Sequence, residues 1–447
     1  MKNKMIRLAL FVVFLISTRA YSQEDKFAGA LTRESDVPNY TLPDLLTTFG
    51  GKKITSIGQW ETLRRTEIVK FFAENIYGKV PVPAEPVTKS FKLLFEDKNF
   101  MEGLCTRRII LITFSNSKNS LDMQLVTFVP NNATKPVPAI YHVNHGGVKG
   151  GGYDLSNSQR YGQVNCGVPL RQLILRGIGL VASDIGELIG GDNRAEVLSG
   201  GILDLYFQPG QTNTKDDEWG MMAIWAFGLS SGMDYLETQK EINPRQVALM
   251  GCSVLGKVAL WAAAQDQRFG MVLSNTTGHA GDAIWRRQIG ETYDNMCEWL
   301  PRWLVRNAQK YKGRVAELPV DQHMLLACIA PRPLFISSGD YDFWADSKGA
   351  WISANHAIPV YKMYGKNVAF ESENQPEVNT VIMKSAIGYN LRTGFHGTDQ
   401  RDWENYMQFI EYHFMKIEPR DAQAVYYPEG KLIDHYPNKS GKALIVR

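Results

Sequence analysis

The sequence contains little cysteine, and its few cysteines do not follow the spacing of a metal site. Zinc sites bring cysteine and histidine pairs together at short, fixed intervals, and this chain has no such pairs. We therefore predict no metal site. An odd number of cysteines also leaves at least one thiol without a partner in the chain. The five cysteines are Cys105, Cys166, Cys252, Cys297 and Cys328.

A strong charge of either sign is also absent. The 49 lysines and arginines are nearly balanced by 46 aspartates and glutamates, so the formal net charge is only +3. No cluster of basic residues stands out, and we expect no binding of nucleic acid. The sequence has no internal repeat and no low-complexity linker, which argues against a repeat protein.

Long hydrophobic runs are missing as well. The apolar run Leu8–Ile16 is too short to span a bilayer, which needs about 20 residues. Basic residues precede this run and the small residues Ala20 and Ser22 follow it, which is the layout of a secretory signal peptide. We predict a signal peptide over residues 1–22, no membrane span, and export to the periplasm or the medium as a monomer. An uncleaved anchor is the alternative.

Strand and helix patterns alternate from about residue 105 onward. Two early strands resemble an antiparallel edge, and the later apolar strands are typical of a parallel sheet covered on both faces. We predict the α/β class, as a three-layer sandwich with a mostly parallel central sheet. The predicted strands are Arg108–Thr113, Gln124–Val129, Val137–Val143, Leu180–Ser183, Val247–Met250, Met271–Ser274 and Leu334–Ser338. The predicted helices are Leu170–Leu175, Trp219–Thr238, Leu255–Gln265, Asp321–Ala327 and Asp402–Met415.

The residues before this region form a predicted lead-in, over residues 23–100, that packs on the core. It is irregular except for one predicted helix, Trp60–Tyr77, which has apolar residues at helical spacing and ends at Gly78. Residues 101–447 form the main domain. Beyond Lys416 the chain is polar and rich in turns, and we expect no chemistry there.

A serine follows an apolar strand in the segment 251–257, which reads Gly-Cys-Ser-Val-Leu-Gly-Lys. A serine at a sharp strand-to-helix turn presents its Oγ above the sheet. The N–H groups and the dipole at the helix start favour an oxyanion. We predict Ser253 as a nucleophile and the backbone N–H of Val254 as an oxyanion donor. The spacing is one residue longer than the common G-x-S-x-G, and an ordinary helix N-cap is the alternative reading of Ser253.

A serine nucleophile needs a base, and in this kind of fold the acid and the histidine follow the serine along the chain. His396 lies between glycines in a loop before the last predicted helix, so we predict it as the base. His413 falls inside that helix and His435 in the turn-rich tail. A strand ending at Ser338 leads into an acidic loop, where Asp342 is the first choice for the acid. Asp340 is the second choice, and a solvated acidic loop is the alternative.

A second oxyanion donor usually comes from the loop after an early strand. Residues 144–147 read Asn-His-Gly-Gly and resemble the H-G-G loop of esterases. A plain glycine turn is an equally good interpretation of this segment.

Together these residues resemble the glucuronoyl esterases of carbohydrate esterase family 15, in their bacterial form. Segment 251–257 is similar to the nucleophile motif of that family, and the resemblance extends over about residues 218–409. Further similar stretches are residues 259–269, 286–292, 329–333 and 342–346. The resemblance implies an α/β-hydrolase catalytic domain that needs no cofactor. It also implies cleavage of the ester between a glucuronic acid carboxyl of glucuronoxylan and a lignin alcohol.

Matching positions also imply roles in substrate binding. Lys257 and Glu291 would hold sugar hydroxyls, and Trp344 would line the sugar site, since an aromatic wall suits the apolar face of a sugar ring. Without the resemblance, these three residues read as a helix-surface lysine, a helix-start acid and a loop anchor.

Two positions depart from the family pattern. Many members have arginine directly after the serine, where this chain has Val254. Some members carry a glutamate 23 residues after the serine, where this chain has Thr276. The second departure favours Asp342 as the acid. The valine at position 254 keeps two alternatives open, namely another carbohydrate esterase such as an acetyl-xylan esterase, and a glycan-binding relative without activity.

Overall fold

A ten-stranded sheet forms the centre of the computed structural model, which describes residues 31–144, 167–190 and 198–420. The predicted signal peptide, residues 145–147 and the chain after residue 420 lie outside the described residues. Within the described residues the strand order is β1-β2-β3-β5-β4-β6-β7-β8-β10-β9. The strands are β1 (Thr88–Asn99), β2 (Cys105–Ser115), β3 (Ser120–Pro130), β4 (Val137–Asn144), β5 (Gly179–Asp184), β6 (Ile242–Cys252), β7 (Met271–Asn275), β8 (Leu334–Gly339), β9 (Thr380–Ile382) and β10 (Ile387–Arg392).

The middle of the sheet is parallel and its edges are antiparallel. Strands β5, β4, β6, β7, β8 and β10 pair in parallel, whereas β1, β2 and β3 form an antiparallel edge and β9 closes the other side. Parallel neighbours need crossover connections, and helices supply them here. The predicted mostly parallel sheet with an antiparallel edge is confirmed.

Helices cover both faces of this sheet. Along β6, Val247 and Leu249 belong to one buried cluster, while Ala248 and Met250 belong to another, because successive side chains point to opposite faces. The predicted three-layer sandwich is therefore confirmed. Among the described residues, the α-helices of six residues or more are α1 (Arg65–Phe72), α2 (Leu170–Leu175), α3 (Met221–Leu236), α4 (Val254–Gln265), α5 (Tyr293–Trp299), α6 (Gln322–Ala327), α7 (Ser347–Met363) and α8 (Gln400–Ile410).

The lead-in is more ordered than the sequence indicates. Helical turns run from residue 57 to residue 77 around α1, and Gly78 ends them with a φ of 115°. A Cβ at Gly78 would lie 2.5 Å from the Trp219 Cα atom, so only glycine fits. Strand β1 also belongs to this region, and it pairs with β2. The expectation of a lead-in with one helix and otherwise irregular structure is therefore wrong, while the domain division at residue 100 stays a prediction.

The start of the described chain lies beside the loop that precedes α5. The Leu31 N–H donates to the Gln288 carbonyl and the Gly290 N–H donates to the Leu31 carbonyl, both at 3.1 Å. Three residues further on, Glu34 forms an ion pair with Arg287. These contacts fix the segment after Leu31 next to Glu291.

The described part of the chain contains four cysteines, and each is a free thiol. Cys166 lies outside the described residues. No helix among the described residues is both long and apolar enough to cross a bilayer.

Candidate active site

Ser253 lies at the turn between β6 and α4, with a φ of 57° and a ψ of −131°. Few residues with a side chain adopt a positive φ, and such strain concentrates at functional sites. The Ser253 N–H donates to the Asn275 carbonyl of β7 at 3.0 Å, which ties the turn to the sheet. The Ser253 side chain makes no capping hydrogen bond to α4. Ser253 therefore occupies the N-cap position of α4, but its hydroxyl does not cap the helix.

Two glycines make this turn sterically possible. A Cβ at Gly251 would lie 2.2 Å from the Leu255 carbonyl oxygen. A Cβ at Gly256 would lie 2.4 Å from the Thr277 Oγ1 atom and 2.8 Å from the Gly251 carbonyl oxygen. The strand and the helix therefore meet with no room for a side chain at either position. This contact explains the unusual G-x-S-x-x-G spacing, because Gly256 itself packs against Gly251.

The α4 helix starts directly after the serine. The Gly256 and Lys257 N–H groups donate to the Ser253 carbonyl at 2.9 and 3.1 Å. The Val254 N–H precedes these first bonds of the helix, at the position where helical N–H groups have no acceptor within the helix. This position matches the predicted oxyanion donor.

His396 and Asp342 form a close pair. The His396 Nδ1 atom lies 2.7 Å from the Asp342 Oδ2 atom, and both side chains are largely buried. The second oxygen of Asp342 accepts the Ala345 N–H at 3.2 Å. Asp342 comes from the loop after β8 and His396 from the loop after β10, and these two strands are parallel neighbours. The fold therefore brings the predicted acid and base together at the carboxyl edge of the sheet.

Asp340 has a different environment. Its Oδ1 atom accepts the Gly394 N–H at 2.7 Å, and burial raises the pKa of its carboxyl. It thus connects the two loops through the backbone, whereas Asp342 contacts the imidazole. His413 lies elsewhere, with its Nε2 atom 3.0 Å from the Ser385 carbonyl oxygen. His435 lies outside the described residues.

Arg392 at the end of β10 holds the His396 loop. Its guanidinium donates to the carbonyls of Phe395, at 3.2 Å, and of Gly397, the two residues that flank His396. Its Nε atom donates to the Asp402 Oδ2 atom at 2.8 Å. Arg392 and Asp402 are both almost completely buried. Because a buried charge needs a partner, this ion pair fixes the guanidinium between the two carbonyls.

Thr276 connects this loop to the serine turn. Its Oγ1 atom accepts the Gly397 N–H at 3.3 Å and lies 3.5 Å from the Cys252 Sγ atom. Burial raises the pKa of the Cys252 thiol to about 12, so this sulfur stays protonated at neutral pH. Thr276 thus connects Cys252, which precedes the predicted nucleophile, to Gly397, which follows the predicted base.

Lys257 and Glu291 pair with each other below the site. The Lys257 Nζ atom lies 2.9 Å from the Glu291 Oε2 atom, and it also donates to the carbonyls of Thr277 and His279 at 2.6 and 2.5 Å. An ammonium group has three donors, so these three acceptors account for all of them. Lys257 is buried, while Glu291 keeps a small exposed fraction.

Asp282 lies near this lysine, in the layer under the serine turn. Its carboxylate accepts the Ser274 hydroxyl at 2.7 Å and the Gly278 N–H at 3.0 Å. Burial raises the pKa of Asp282 to about 6, and the charge of Lys257 opposes part of this rise.

Trp344 lies on the same loop as Asp342. Its carbonyl accepts the Glu291 N–H at 3.1 Å, so the two predicted sugar-binding positions are joined through the backbone. A Cβ at Gly290 would lie 2.3 Å from that carbonyl oxygen, which explains the glycine. Trp344 is half-buried and stacks on Trp299, with parallel rings.

Comparisons with known proteins bear on the family and the fold of this chain. A family model described as glucuronyl esterase of fungi matches residues 173–365. Carbohydrate esterase MZ0003, from an unknown prokaryotic organism, is 34% identical, and the match covers 92% of this chain and 99% of that protein.

Two solved structures are similar along their whole length. The glucuronoyl esterase from Solibacter usitatus is 33% identical, with a TM-score of 0.76, over 85% of this chain and 100% of that one. A structure described as a promiscuous CE15 esterase from a marine bacterial metagenome is 34% identical, with a TM-score of 0.75, over 86% and 100%. The chain belongs to carbohydrate esterase family 15, the glucuronoyl esterases. It is a carboxylic ester hydrolase of the α/β-hydrolase fold, and the resemblance of its sequence is confirmed.

In this glucuronoyl esterase the two departures from the family pattern lie on either side of the serine turn. Val254 is the first residue of α4 and packs partly against the core. Thr276 places a hydroxyl, and not a carboxylate, beside the Gly397 N–H, and this hydroxyl donates to the Asn275 Oδ1 atom at 3.0 Å. The described residues contain no group of three or more acidic, histidine or cysteine side chains that could hold a metal ion.

Sequence reasoning missed Arg392 and the contact made by Thr276, and it did not single out Trp299, which stacks on Trp344. Only one feature of the sequence pointed to Arg392, namely its position four residues before His396 at the end of an apolar segment. Thr276 was noted for the acid that it lacks, because its contact with Gly397 spans 121 residues of sequence. The residues 145–147, predicted as a second oxyanion loop, lie outside the described residues.

Proposed function

We propose that this esterase is exported and hydrolyses esters of (4-O-methyl-)glucuronic acid on glucuronoxylan, through a triad of Ser253, His396 and Asp342. The observation that carries the proposal is the 2.7 Å contact between His396 and Asp342, at the same edge of the sheet as a serine in a strained strand-to-helix turn. Family membership and the similarity to the glucuronoyl esterase from Solibacter usitatus support the glucuronate part of the proposal.

In the first half of the reaction, the Ser253 Oγ atom adds to the carbonyl carbon of the ester while His396 takes the hydroxyl proton. Asp342 holds the imidazole in the tautomer that has a proton on Nδ1 and a free Nε2. The Val254 N–H and the dipole of α4 stabilise the negative oxygen that forms. The carbon–oxygen bond to the alcohol then breaks, and His396 gives its proton to the leaving oxygen.

In the second half, water attacks the acyl group that is now bonded to Ser253. His396 takes a proton from this water and returns it to the serine oxygen as the acyl bond breaks. The products are a free uronic acid and the alcohol. The cycle uses only groups of this chain, substrate and water.

We propose Glu291 as the residue that accepts hydrogen bonds from sugar hydroxyls, and Trp344 as the wall of the sugar site. Glu291 retains some exposure, whereas Lys257 is buried and its donors already have acceptors. Lys257 therefore contributes mainly by holding the Glu291 carboxylate in place. A paired acid that is fixed before the substrate arrives loses little entropy on binding.

The signal-peptide layout of residues 1–22 supports export to the periplasm or the medium, where plant cell-wall glycans would be met. We propose a monomer in solution that binds glucuronoxylan or a lignin–carbohydrate ester.

The proposal is tested with a methyl or benzyl ester of glucuronic acid, beside an acetyl ester, on wild type, Ser253→Ala and His396→Ala. We expect each variant to lose at least a thousandfold in kcat on the glucuronate ester while its melting temperature changes little. Strong residual turnover in a folded variant would falsify the triad.

The second candidate is a carbohydrate esterase of broader or different preference, such as an acetyl-xylan esterase. Val254 favours it, because the side chain offers no charge to the oxyanion, and one related structure is described as a promiscuous esterase. Turnover of the acetyl ester alone, lost in Ser253→Ala, would select this candidate.

A further inference from the structure

A second tryptophan lies beside the proposed sugar wall. The Trp299 ring is 42% exposed, a large fraction for an indole in a folded protein. Its centroid lies 6.2 Å from that of Trp344, and the two ring planes differ by only 1°. Such a separation between parallel rings is that of an offset stack, so the two indoles form one extended apolar surface.

The Trp299 ring stands on a rigid support. Helix α5, which it ends, begins with a capping box formed by Thr292 and Asn295. The Tyr293 hydroxyl donates to the Ala308 carbonyl at 2.7 Å, and the Gln309 side-chain amide donates to the Cys297 carbonyl at 2.8 Å. These contacts fix the helix on the neighbouring turn. A fixed aromatic surface binds a ligand at lower entropic cost than a mobile one.

Trp299 is also continuous with the proposed site. Helix α5 starts two residues after Glu291, whose N–H donates to the Trp344 carbonyl. Trp344 itself follows Asp342 by two residues and stacks on Trp299, so a continuous series of residues leads from Asp342 through Trp344 to Trp299. A uronate ring that lies on Trp344 with its carboxyl at Ser253 would meet Trp299 with its next sugar.

We propose that Trp299 forms a second sugar subsite, which binds the glycan residue joined to the uronic acid. Pyranose rings have an apolar face made of C–H groups, and exposed indoles are well suited to bind it. The proposal rests on the proposed function and names a feature of its substrate, since it predicts a preference for a glycan chain over an isolated uronate. It assigns Trp299 to the acyl side of the ester and not to the alcohol.

The test compares kcat/KM for two methyl esters, one of the glucuronic acid monosaccharide and one of the same acid attached to a short xylo-oligosaccharide. The variants are Trp299→Ala, Trp299→Tyr and, as a matched control, Phe95→Ala. Phe95 is an aromatic residue of similar exposure, at 43%, on the distant edge strand β1.

We expect Trp299→Ala to lower kcat/KM for the oligosaccharide ester roughly three- to tenfold and to leave the monosaccharide ester unchanged. Trp299→Tyr should keep most of the oligosaccharide rate, and Phe95→Ala should change neither substrate. The Ser253→Ala variant should also bind the acidic oligosaccharide more tightly than the monosaccharide in calorimetry, and this difference should vanish with Trp299→Ala.

Three results would overturn the subsite. An equal loss on both esters would mean that Trp299 only supports Trp344. No loss on either ester would mean that the Trp299 ring does not bind the glycan. A loss that differs between benzyl and methyl esters would place the ring on the alcohol side of the ester bond. Failure of the proposed function is distinct, since the wild type would then hydrolyse neither glucuronate ester.

Discussion

Ser253 has a backbone conformation that costs about 1–3 kcal/mol for a residue with a side chain. The surrounding turn must supply this energy, and the close contact between Gly251 and Gly256 indicates how it does so. The two glycines let the strand and helix backbones pack tightly, which fixes the turn with the serine at its apex. The sequence predicts the serine from its neighbours but not its dihedral angles, because these depend on the packing of β6 against α4.

The acid of the triad can be identified by comparing two aspartates on one loop. We expect Asp342→Asn to lower kcat on a glucuronate ester by two to four orders of magnitude, because the amide no longer stabilises the imidazolium. Asp340→Asn should cost about tenfold or less, since Asp340 contacts backbone N–H groups such as that of Gly394 and not the imidazole. Steady-state kinetics on both purified variants measures this difference. Equal losses would mean that Asp342 is not specifically the acid.

The position after the serine offers a gain-of-function test. We expect Val254→Arg to raise kcat on glucuronate esters about tenfold, because a cation near the oxyanion stabilises the transition state. Val254→Gln is the control, since it adds length and a polar group without the charge. If both variants remain at the wild-type rate, with unchanged melting temperatures, the oxyanion is stabilised by other groups.

At the scale of elements, the His396 loop depends on the end of β10. Arg392 binds the carbonyls on both sides of His396, and Thr276 binds the N–H of Gly397 from the opposite side. The base is therefore held through its backbone as well as through Asp342. Arg392 is a positioning residue, since it acts on the imidazole only through the loop.

We expect Arg392→Lys to lower kcat by roughly tenfold to a hundredfold with little change in KM, because a small displacement of the base is costly. The matched control is Arg332→Lys. Arg332 is another largely buried arginine that donates to backbone carbonyls, those of Ala263, Phe269 and Cys328, but it lies at the opposite end of β8. The control should lose stability and keep kcat. A fall in kcat of equal size in both variants, once their folded fractions are measured, would contradict a specific role.

Some elements could be predicted from sequence and others could not, for physical reasons. The apolar, β-branched strands such as β6 and β8 were found because a buried parallel strand needs a continuous apolar run. Strand β1 was missed because an edge strand is largely exposed and carries charged residues. Strand β10 was missed because Gly388 and Asn390 interrupt its pattern, and helix α7 because it contains Pro359.

At the scale of the whole molecule, the buried carboxyl of Asp282 links stability to pH. Its pKa is about 6 in the folded chain, against 3.8 for an ordinary aspartate. A group with a raised pKa holds more protons in the folded state, so the stability that it contributes falls as the pH rises from about 4 to about 6. Above about pH 6 this loss is complete and no longer changes.

We therefore expect Asp282→Asn to become more stable relative to wild type across this pH interval, by up to about 3 kcal/mol. The amide does not titrate, so the variant escapes the loss. Melting temperatures at half-unit steps from pH 4 to pH 7.5 measure the effect, with exposed Asp122→Asn as the control. Parallel curves for Asp282→Asn and wild type would exclude a titration of Asp282 in this interval.

The two ends of the described chain lie at different places on the molecule. The helix starts after the His396 loop and runs back along the sheet, so that Phe409 packs on Phe335 near the start of β8. Beyond this helix the chain turns back, and the Arg420 N–H donates to the Gln408 side-chain oxygen at 2.7 Å. Residue 420 therefore lies against α8 itself, whereas Leu31 is hydrogen-bonded to Gln288 and Gly290, next to Glu291. An immobilised or fused enzyme that is attached just before Leu31 would therefore carry its tether at the rim over which a long glycan must pass.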